Sequence, residues 1–184
     1  MSKLTVGAQL YTVRDYMKNE ADLAVCLKKV AKIGYRTVQM SGMSGVEPER
    51  VRELCDQNDL KIVLTHNNPD DLRFNTEKII RVNEIYGCDY IGLGAMPPRY
   101  RTEEWIGQFI EDFREPAKKI AAAGKHFMYH NHSFDFRKTS EKRLIEYLPP
   151  TSWASHWILI GFRWQAVICL SGPKNCRTAS PVFI

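Results

Sequence analysis

Phe127-Met128-Tyr129-His130-Asn131-His132 passes from an apolar stretch that opens just after Gly124 straight into two imidazoles and a carboxamide. A short apolar run bounded by a glycine reads as a buried strand, here Lys125 to Tyr129. The polar groups that follow then sit at its C-terminal tip. In parallel α/β folds that is where chemistry is done, because the loops leaving the strand tips are free to carry polar side chains. Two histidines two residues apart on extended backbone point to one side and can share a ligand or an ion. The plainer reading is a pair of pocket-lining or solvated residues, since His-x-His without a third ligand is a weak metal signal.

Working outward, the same strand-then-helix rhythm repeats. Val6 to Leu10 reads as a first strand. Ala21 to Ile33 has apolar residues at helical spacing and Gly34 as its stop. Arg36 to Met40 is a second strand, and Pro48, a favoured first-turn residue, opens a helix running to about Asn58. Lys61 to Thr65 is a third strand with His66-Asn67-Asn68 at its tip, and Asp70 or Asp71 caps a helix ending at Gly87. Tyr90 to Leu93 is a fourth strand, followed by a helix over Glu103 to Ala123 in which Pro116 predicts a kink or break. A last helix is expected over Ser140 to Leu148.

Five such units predict a parallel sheet with helices packed outside it. Polar residues recur at successive tips: Gln9, Gln39, His66 to Asn68, and His130 to His132. A doubly wound sheet concentrates its site at one switch point, whereas a barrel brings many tips to one mouth. The expected fold class is therefore α/β, a partial (β/α)8 TIM barrel of about five N-terminal β/α units in residues 1–150, followed by an irregular tail in 151–184. Ser41 to Gly45 matches neither a dinucleotide nor a phosphate loop, and nothing resembles a nucleophile elbow.

Composition narrows the classes. The chain has 184 residues, 44% hydrophobic and 26% charged, ordinary for one globular domain with a real core. No apolar run is long enough for a membrane span, and the N-terminus lacks a signal-peptide stretch, so no membrane association is expected. Five cysteines, without CxxC spacing, suit reduced thiols and a cytoplasmic location. The net charge is +5, but Arg163, Lys174 and Arg177 give +3 of it to the acid-free stretch 147–184. The rest alternates in sign along helices, which is a solvated surface and not a nucleic-acid stripe.

Gly7-Ala8-Gln9-Leu10-Tyr11-Thr12-Val13-Arg14-Asp15, Val38-Gln39-Met40-Ser41-Gly42 and the segment Tyr129 to Phe136 resemble the sugar phosphate isomerase/epimerase superfamily. This is the xylose-isomerase-like TIM barrel group, which also holds inosose dehydratases and endonuclease IV. The resemblance covers roughly residues 4–148. It implies isomerisation, epimerisation or dehydration of a small-molecule sugar, sugar phosphate or cyclitol, with a divalent metal (Mn, Zn or Mg) at the barrel mouth. His130 stands where the family commonly has its first metal-binding Glu, and Ser133-Phe134-Asp135-Phe136 where this branch often has Asp-Phe-Glu-Phe. On this basis His130 is expected as a metal ligand or polariser, with His130 and His132 as the catalytic pair. His66 and Asn131 are expected to face substrate, Gln9 to orient hydroxyls, and Trp105 to add an apolar wall. The dull alternatives are a helix cap for His66, a buried bridge for Gln9 and helix packing for Trp105. Two rival classes stand beside this reading: a non-catalytic fragment or binding module, and an endonuclease IV-like nuclease.

After about Pro150 the pattern stops. Three of the four tryptophans crowd into Trp153 to Trp164, and Glu146 is the last acid. The genetic code offers a reason. Re-read from one base earlier, Trp153 to Gly161 can spell Leu-Gly-Phe-Thr-Leu-Asp-Thr-Tyr-Trp-Val. The Trp157–Ile158 junction forces the Asp whichever synonymous codons are used. That string resembles the family's sixth strand, whose Asp is a metal ligand. The tail is therefore expected to be an out-of-frame translation, and the chain to lack a complete site.

Overall fold

The structure, a computed structural model, describes residues 5–42, 45–148 and 182–183. The strands are β1 (Thr5–Val6), β2 (Ala8–Gln9), β3 (Thr37–Met40), β4 (Lys61–Asn67), β5 (Tyr90–Leu93), β6 (His126–Tyr129) and β7 (Val182–Phe183). The helices are α1 (Glu20–Ile33), α2 (Pro48–Asp56), α3 (Pro69–Phe74), α4 (Thr76–Ile85) and α5 (Ile106–Ala122). Five strands form one sheet in the order β2-β3-β4-β5-β6, and β1 pairs with β7 in a separate two-stranded ladder. β3 pairs in parallel with both β2 and β4, and its register against β4 shifts between Val38 and Gln39. Five sequential strands lying side by side, with helices in the four connections between them, form part of a TIM barrel, as expected. Apart from Val182–Phe183, the expected irregular tail lies outside the described residues.

The chain divides into two compact units. Among the described residues, one comprises 5–66, 81–90 and 182–183, and the other comprises 67–80 and 91–148. Each has its own core. In the first, Val38 and Met40 from β3 meet Leu23, Leu27 and Val30 of α1 and Val51 and Leu54 of α2. In the second, Ile91 and Leu93 of β5 and Phe127 and Tyr129 of β6 pack with Phe109, Phe113 and Ile120 of α5. The Phe113 and Phe127 rings stack at 6.2 Å.

Local chemistry sets the element ends. Asn19 caps α1 by accepting the Asp22 N–H at 3.0 Å. Gly34 ends α1 in the left-handed region at φ 117°, which only glycine enters cheaply.

Four expectations need correction. The first strand is interrupted at Gly7 and gives way to a 3-10 segment, Leu10–Tyr16. The helix expected up to Gly87 is two helices, because Thr76 turns its hydroxyl back onto the Leu72 carbonyl at 2.6 Å and Asn75 leaves helical geometry. Its cap is Asn68, which accepts the N–H groups of Asp70 and Asp71, and not Asp70 or Asp71 themselves. The helix expected over Ser140 to Leu148 is absent. Lys138 bridges Arg143 in antiparallel fashion, and only a 3-10 turn, Leu144–Tyr147, follows. Glu103 accounts for this by holding both the Ser140 N–H (3.1 Å) and the Tyr147 hydroxyl (2.7 Å). By contrast α5 runs on through Pro116. Pro116 lies on its buried face with Phe113, Ala117 and Ile120, and that burial offsets the missing backbone bond.

Candidate functional site

The end of β6 carries the densest polar chemistry of the second unit. β6 is fixed by Phe127 and Tyr129 in the core and by the His130 N–H, which donates to the Leu93 carbonyl at 3.0 Å. The chain then turns through a 3-10 segment, Ser133–Phe136. Asp135, fully buried, organises that turn. One carboxylate oxygen accepts the Tyr129 hydroxyl at 2.7 Å and the other the His132 backbone N–H at 2.6 Å. Burial raises the Asp135 carboxyl above its ordinary value, against the opposing pull of those two donors. The Tyr129 hydroxyl is raised well above its ordinary range, first by burial and then by the neighbouring carboxylate.

The two imidazoles meet edge to face, centroids 4.7 Å apart at 67°. The other side of the His132 ring stacks on Phe134 at 5.4 Å and 9°. Phe134 in turn carries the Arg101 guanidinium 3.7 Å from its centroid, and Arg101 donates from Nε to the Met96 carbonyl at 2.7 Å. The stack orients His132 without occupying its ring nitrogens, and its Nδ1 is buried with no hydrogen-bond partner. Asn131, 2% exposed, has an unpartnered Oδ1 beside it in sequence. His130 is depressed to about 4, chiefly by burial and then by the adjacent His132. It is therefore a neutral imidazole at pH 7, able to donate a hydrogen bond or to ligate.

Of the other expected site residues, Trp105 also lies in this unit, one residue before α5 and 49% exposed. Gln9 and His66 belong to the first unit, each half-buried at the C-terminal part of its strand, β2 and β4. In β2 and β3 the register sets Gln9 directly beside Gln39. His66 is not the helix cap; that is Asn68. A cleft of about 580 Å³ lined by Arg52, Asp56, Lys61 and Tyr86 opens at the opposite, N-terminal end of β4. Arg52 is already engaged there by the Asp56 carboxylate and the Tyr86 carbonyl, so the strand tips remain the better place for chemistry.

For a metal, the described residues bring together no group of three or more His, Cys, Asp or Glu side chains able to hold an ion. His130 and His132 are two donors of the four that a zinc-type site needs, and they do not fit a complete centre by themselves. Asp135 was missed as a member of this site. Its one signal in the sequence is a carboxylate set between Phe134 and Phe136, three residues after His132, the spacing of an acid that reaches back to the residue opening a turn.

Compared as a sequence, the chain matches no protein-family model and no curated protein. Solved structures do match. A sugar phosphate isomerase/epimerase from Parabacteroides distasonis superposes with a TM-score of 0.65 at 20% identity, over 86% of this chain and 69% of that one. The fold is that of a xylose-isomerase-like TIM barrel, in part. A xylose isomerase domain containing protein from Salmonella typhimurium matches at TM-score 0.51 and 14% identity, over 74% of this chain and 52% of its own. An AP endonuclease of family 2 from Brucella melitensis matches at 0.55 and 17%, over 70% and 55%. This partial barrel thus spans about half the length of the latter two, and its likeness to all three is one of fold.

Proposed function

We propose that the β6 tip belongs to an isomerase, epimerase or dehydratase that moves a proton on a sugar, sugar phosphate or cyclitol. The observation that supports this is the pair of oriented imidazoles, one of them held neutral. In this reading His132 takes the proton from the carbon beside a carbonyl. The C–H electron pair shifts into the new C–C double bond, and the carbonyl π pair moves onto oxygen. Neutral His130 donates a ring N–H hydrogen bond to that oxygen and stabilises the enediolate. Returning the proton to the neighbouring carbon, while the hydroxyl proton passes to the former carbonyl oxygen, isomerises, and returning it to the opposite face of the first carbon epimerises. Loss of a hydroxyl from the next carbon, with a proton, dehydrates. Asn131 and Trp105 would orient and wall the substrate, and Gln9 and His66 are proposed as further substrate-facing groups.

A divalent metal is what the resemblance adds, and no step above runs through it. The out-of-frame reading of residues 151–184 accounts for the short donor set, because the restored frame contributes an Asp. As translated, the chain is proposed to be inactive. A cytoplasmic location accords with Cys26, Cys55 and Cys88 being buried thiols outside any disulfide. No helix among the described residues is long and apolar enough to cross a membrane. The test is solvent exchange: the frame-restored protein, given aldoses, ketoses and inososes in deuterated water, is expected to place deuterium beside the carbonyl. No exchange with any of them sinks the reading. The likeness to the AP endonuclease fold supports a second reading, nuclease activity, and cleavage of DNA at an abasic site would favour that instead.

A further inference from the structure

Four arginines among the described residues are half-buried: Arg50, Arg52, Arg73 and Arg101. The first three each meet a carboxylate, at 2.6 to 2.8 Å. Arg101 meets none among the described residues. Neighbouring acids are engaged elsewhere. Asp135 accepts the Tyr129 hydroxyl and the His132 N–H, and Glu103 accepts the Ser140 N–H and the Tyr147 hydroxyl. A partly desolvated guanidinium without a counter-ion costs free energy, which an arriving anion offsets. Arg101 is nonetheless held in place. Its Nε donates to the Met96 carbonyl at 2.7 Å, and its Cζ lies 3.7 Å from the Phe134 ring centre. Those contacts use one donor and one face, and they leave the N–H groups of its two terminal nitrogens on the edge of the fork. Arg137 reaches the Arg101 carbonyl at 3.0 Å and brings a second cation to this segment. The place is open to solvent: Arg101, His132 and Phe134 are half-buried, and Ser133 is exposed. All of it lies within the second unit.

We propose that Arg101 binds a terminal oxyanion group of the substrate, a phosphate or a carboxylate, and so selects acidic sugars over neutral sugars and cyclitols. The inference rests on the proton-transfer reading of the β6 tip above. A planar fork with its terminal N–H groups unused matches two oxygens of one such group. The reach is suitable as well. The 3.7 Å and 5.4 Å separations through Phe134 keep the guanidinium carbon no more than about 9 Å from the His132 ring centre. With bonds of about 1.5 Å, a five- or six-carbon chain spans that distance from its carbonyl end to an oxyanion at the other. His130 is neutral and adds no competing charge. One held arginine fits one group on a small molecule, whereas a nucleic-acid backbone is met by a stripe of cations. Arg99, two residues away, is already paired with Asp70.

The experiment uses the 184-residue chain at low micromolar concentration and, in parallel, the frame-restored protein. Saturation-transfer NMR reads binding of D-ribose 5-phosphate, D-gluconate and neutral D-ribose, and circular dichroism reads folding. The wild type is expected to bind D-ribose 5-phosphate or D-gluconate about tenfold more tightly than D-ribose. Which of the two anions binds tells phosphate from carboxylate. Arg101→Met keeps an apolar stem against Phe134 and removes the charge. It is expected to weaken the anion on the order of tenfold and to leave D-ribose unchanged. Arg101→Lys keeps the charge without the fork, is expected to weaken the anion severalfold, and serves if Arg101→Met does not fold. Unchanged anion binding in both variants overturns the role of Arg101 and leaves the sugar reading standing. D-ribose binding as tightly as the anions does the same. An abasic-site DNA duplex that binds more tightly than either anion, and is released by Arg101→Met, overturns it in favour of the nuclease reading. A wild type that binds none of the sugars also overturns the anion site, and the proton-transfer reading is then decided separately by deuterium exchange.

Discussion

Strands β3 and β6 both carry polar chemistry, and they treat it in opposite ways. β3 sits inside the sheet, paired to β2 and β4, yet its polar face is a row of unpartnered atoms. β6 ends the order among the described strands, yet its tip is bonded around Asp135 and stacked through His132, Phe134 and Arg101. A site assembled before any ligand arrives uses its own residues to fix its geometry, as the β6 tip does. β3 instead keeps side-chain polar atoms that nothing bonds.

The largest expected effect separates the two strands by their edges. β3 lies between two strands, whereas the order ends at β6 among the described strands, and five strands fall short of the set that closes a barrel. The chain as translated is expected to self-associate as its concentration rises and to unfold with low cooperativity; sedimentation and urea titration measure both. A protein restored in frame near residue 150 is expected to be monodisperse, to unfold cooperatively, and to bind Mn²⁺ or Zn²⁺ tightly where the present chain does not. A soluble, cooperatively unfolding monomer from the present sequence, or a nucleotide sequence without such a frame, removes the explanation.

Next in size is Asp135→Ala. It strands the Tyr129 hydroxyl and the His132 N–H in a buried site, and a loss of about 4 kcal/mol in urea unfolding of the frame-restored protein is expected. A loss under 1 kcal/mol would mean that the turn holds without its carboxylate.

The pH dependence contributed by the β6 tip should be smaller. His130 is held at about 4 in the fold against 6.5 for an ordinary histidine. Its folded value is depressed, so its contribution is whole above pH 6.5 and is lost as pH falls toward 4, by roughly 3 kcal/mol at 1.36 kcal/mol per unit. Asp135, raised in the fold, acts in the opposite sense at the acid end. His130→Gln is expected to flatten the slope, and a His130 ring resonance titrating near pH 6.5 would contradict the assignment. Thr37→Val on β3 should be the mildest of these changes, within about 1 kcal/mol, because it removes a hydroxyl that bonds to nothing.

Much of the fold was legible because its signals are local. The apolar run ending at Tyr129, the stop at Gly34 and the proline opening α2 each act within a few residues. What escaped depends on partners distant in sequence. Nothing near Ser140 announces that Glu103 will hold it out of a helix, and nothing near Pro116 shows that its ring will be buried. The site divides similarly. His130, Asn131 and His132 stand out as a polar tip, while Asp135 is revealed only when the turn folds it back. Gln39 was visible as a polar tip residue, but its lack of partners depends on what β2 and β4 place around it.

The chain of contacts from Met96 through Arg101 and Phe134 to His132 has a consequence for engineering. It ties the segment after β5 to the turn after β6, so the two behave as one cassette. Grafting either alone onto another barrel would leave Arg101 without its aromatic ring or His132 without its backing. Transplanting both together carries the orientation of the imidazole along with them.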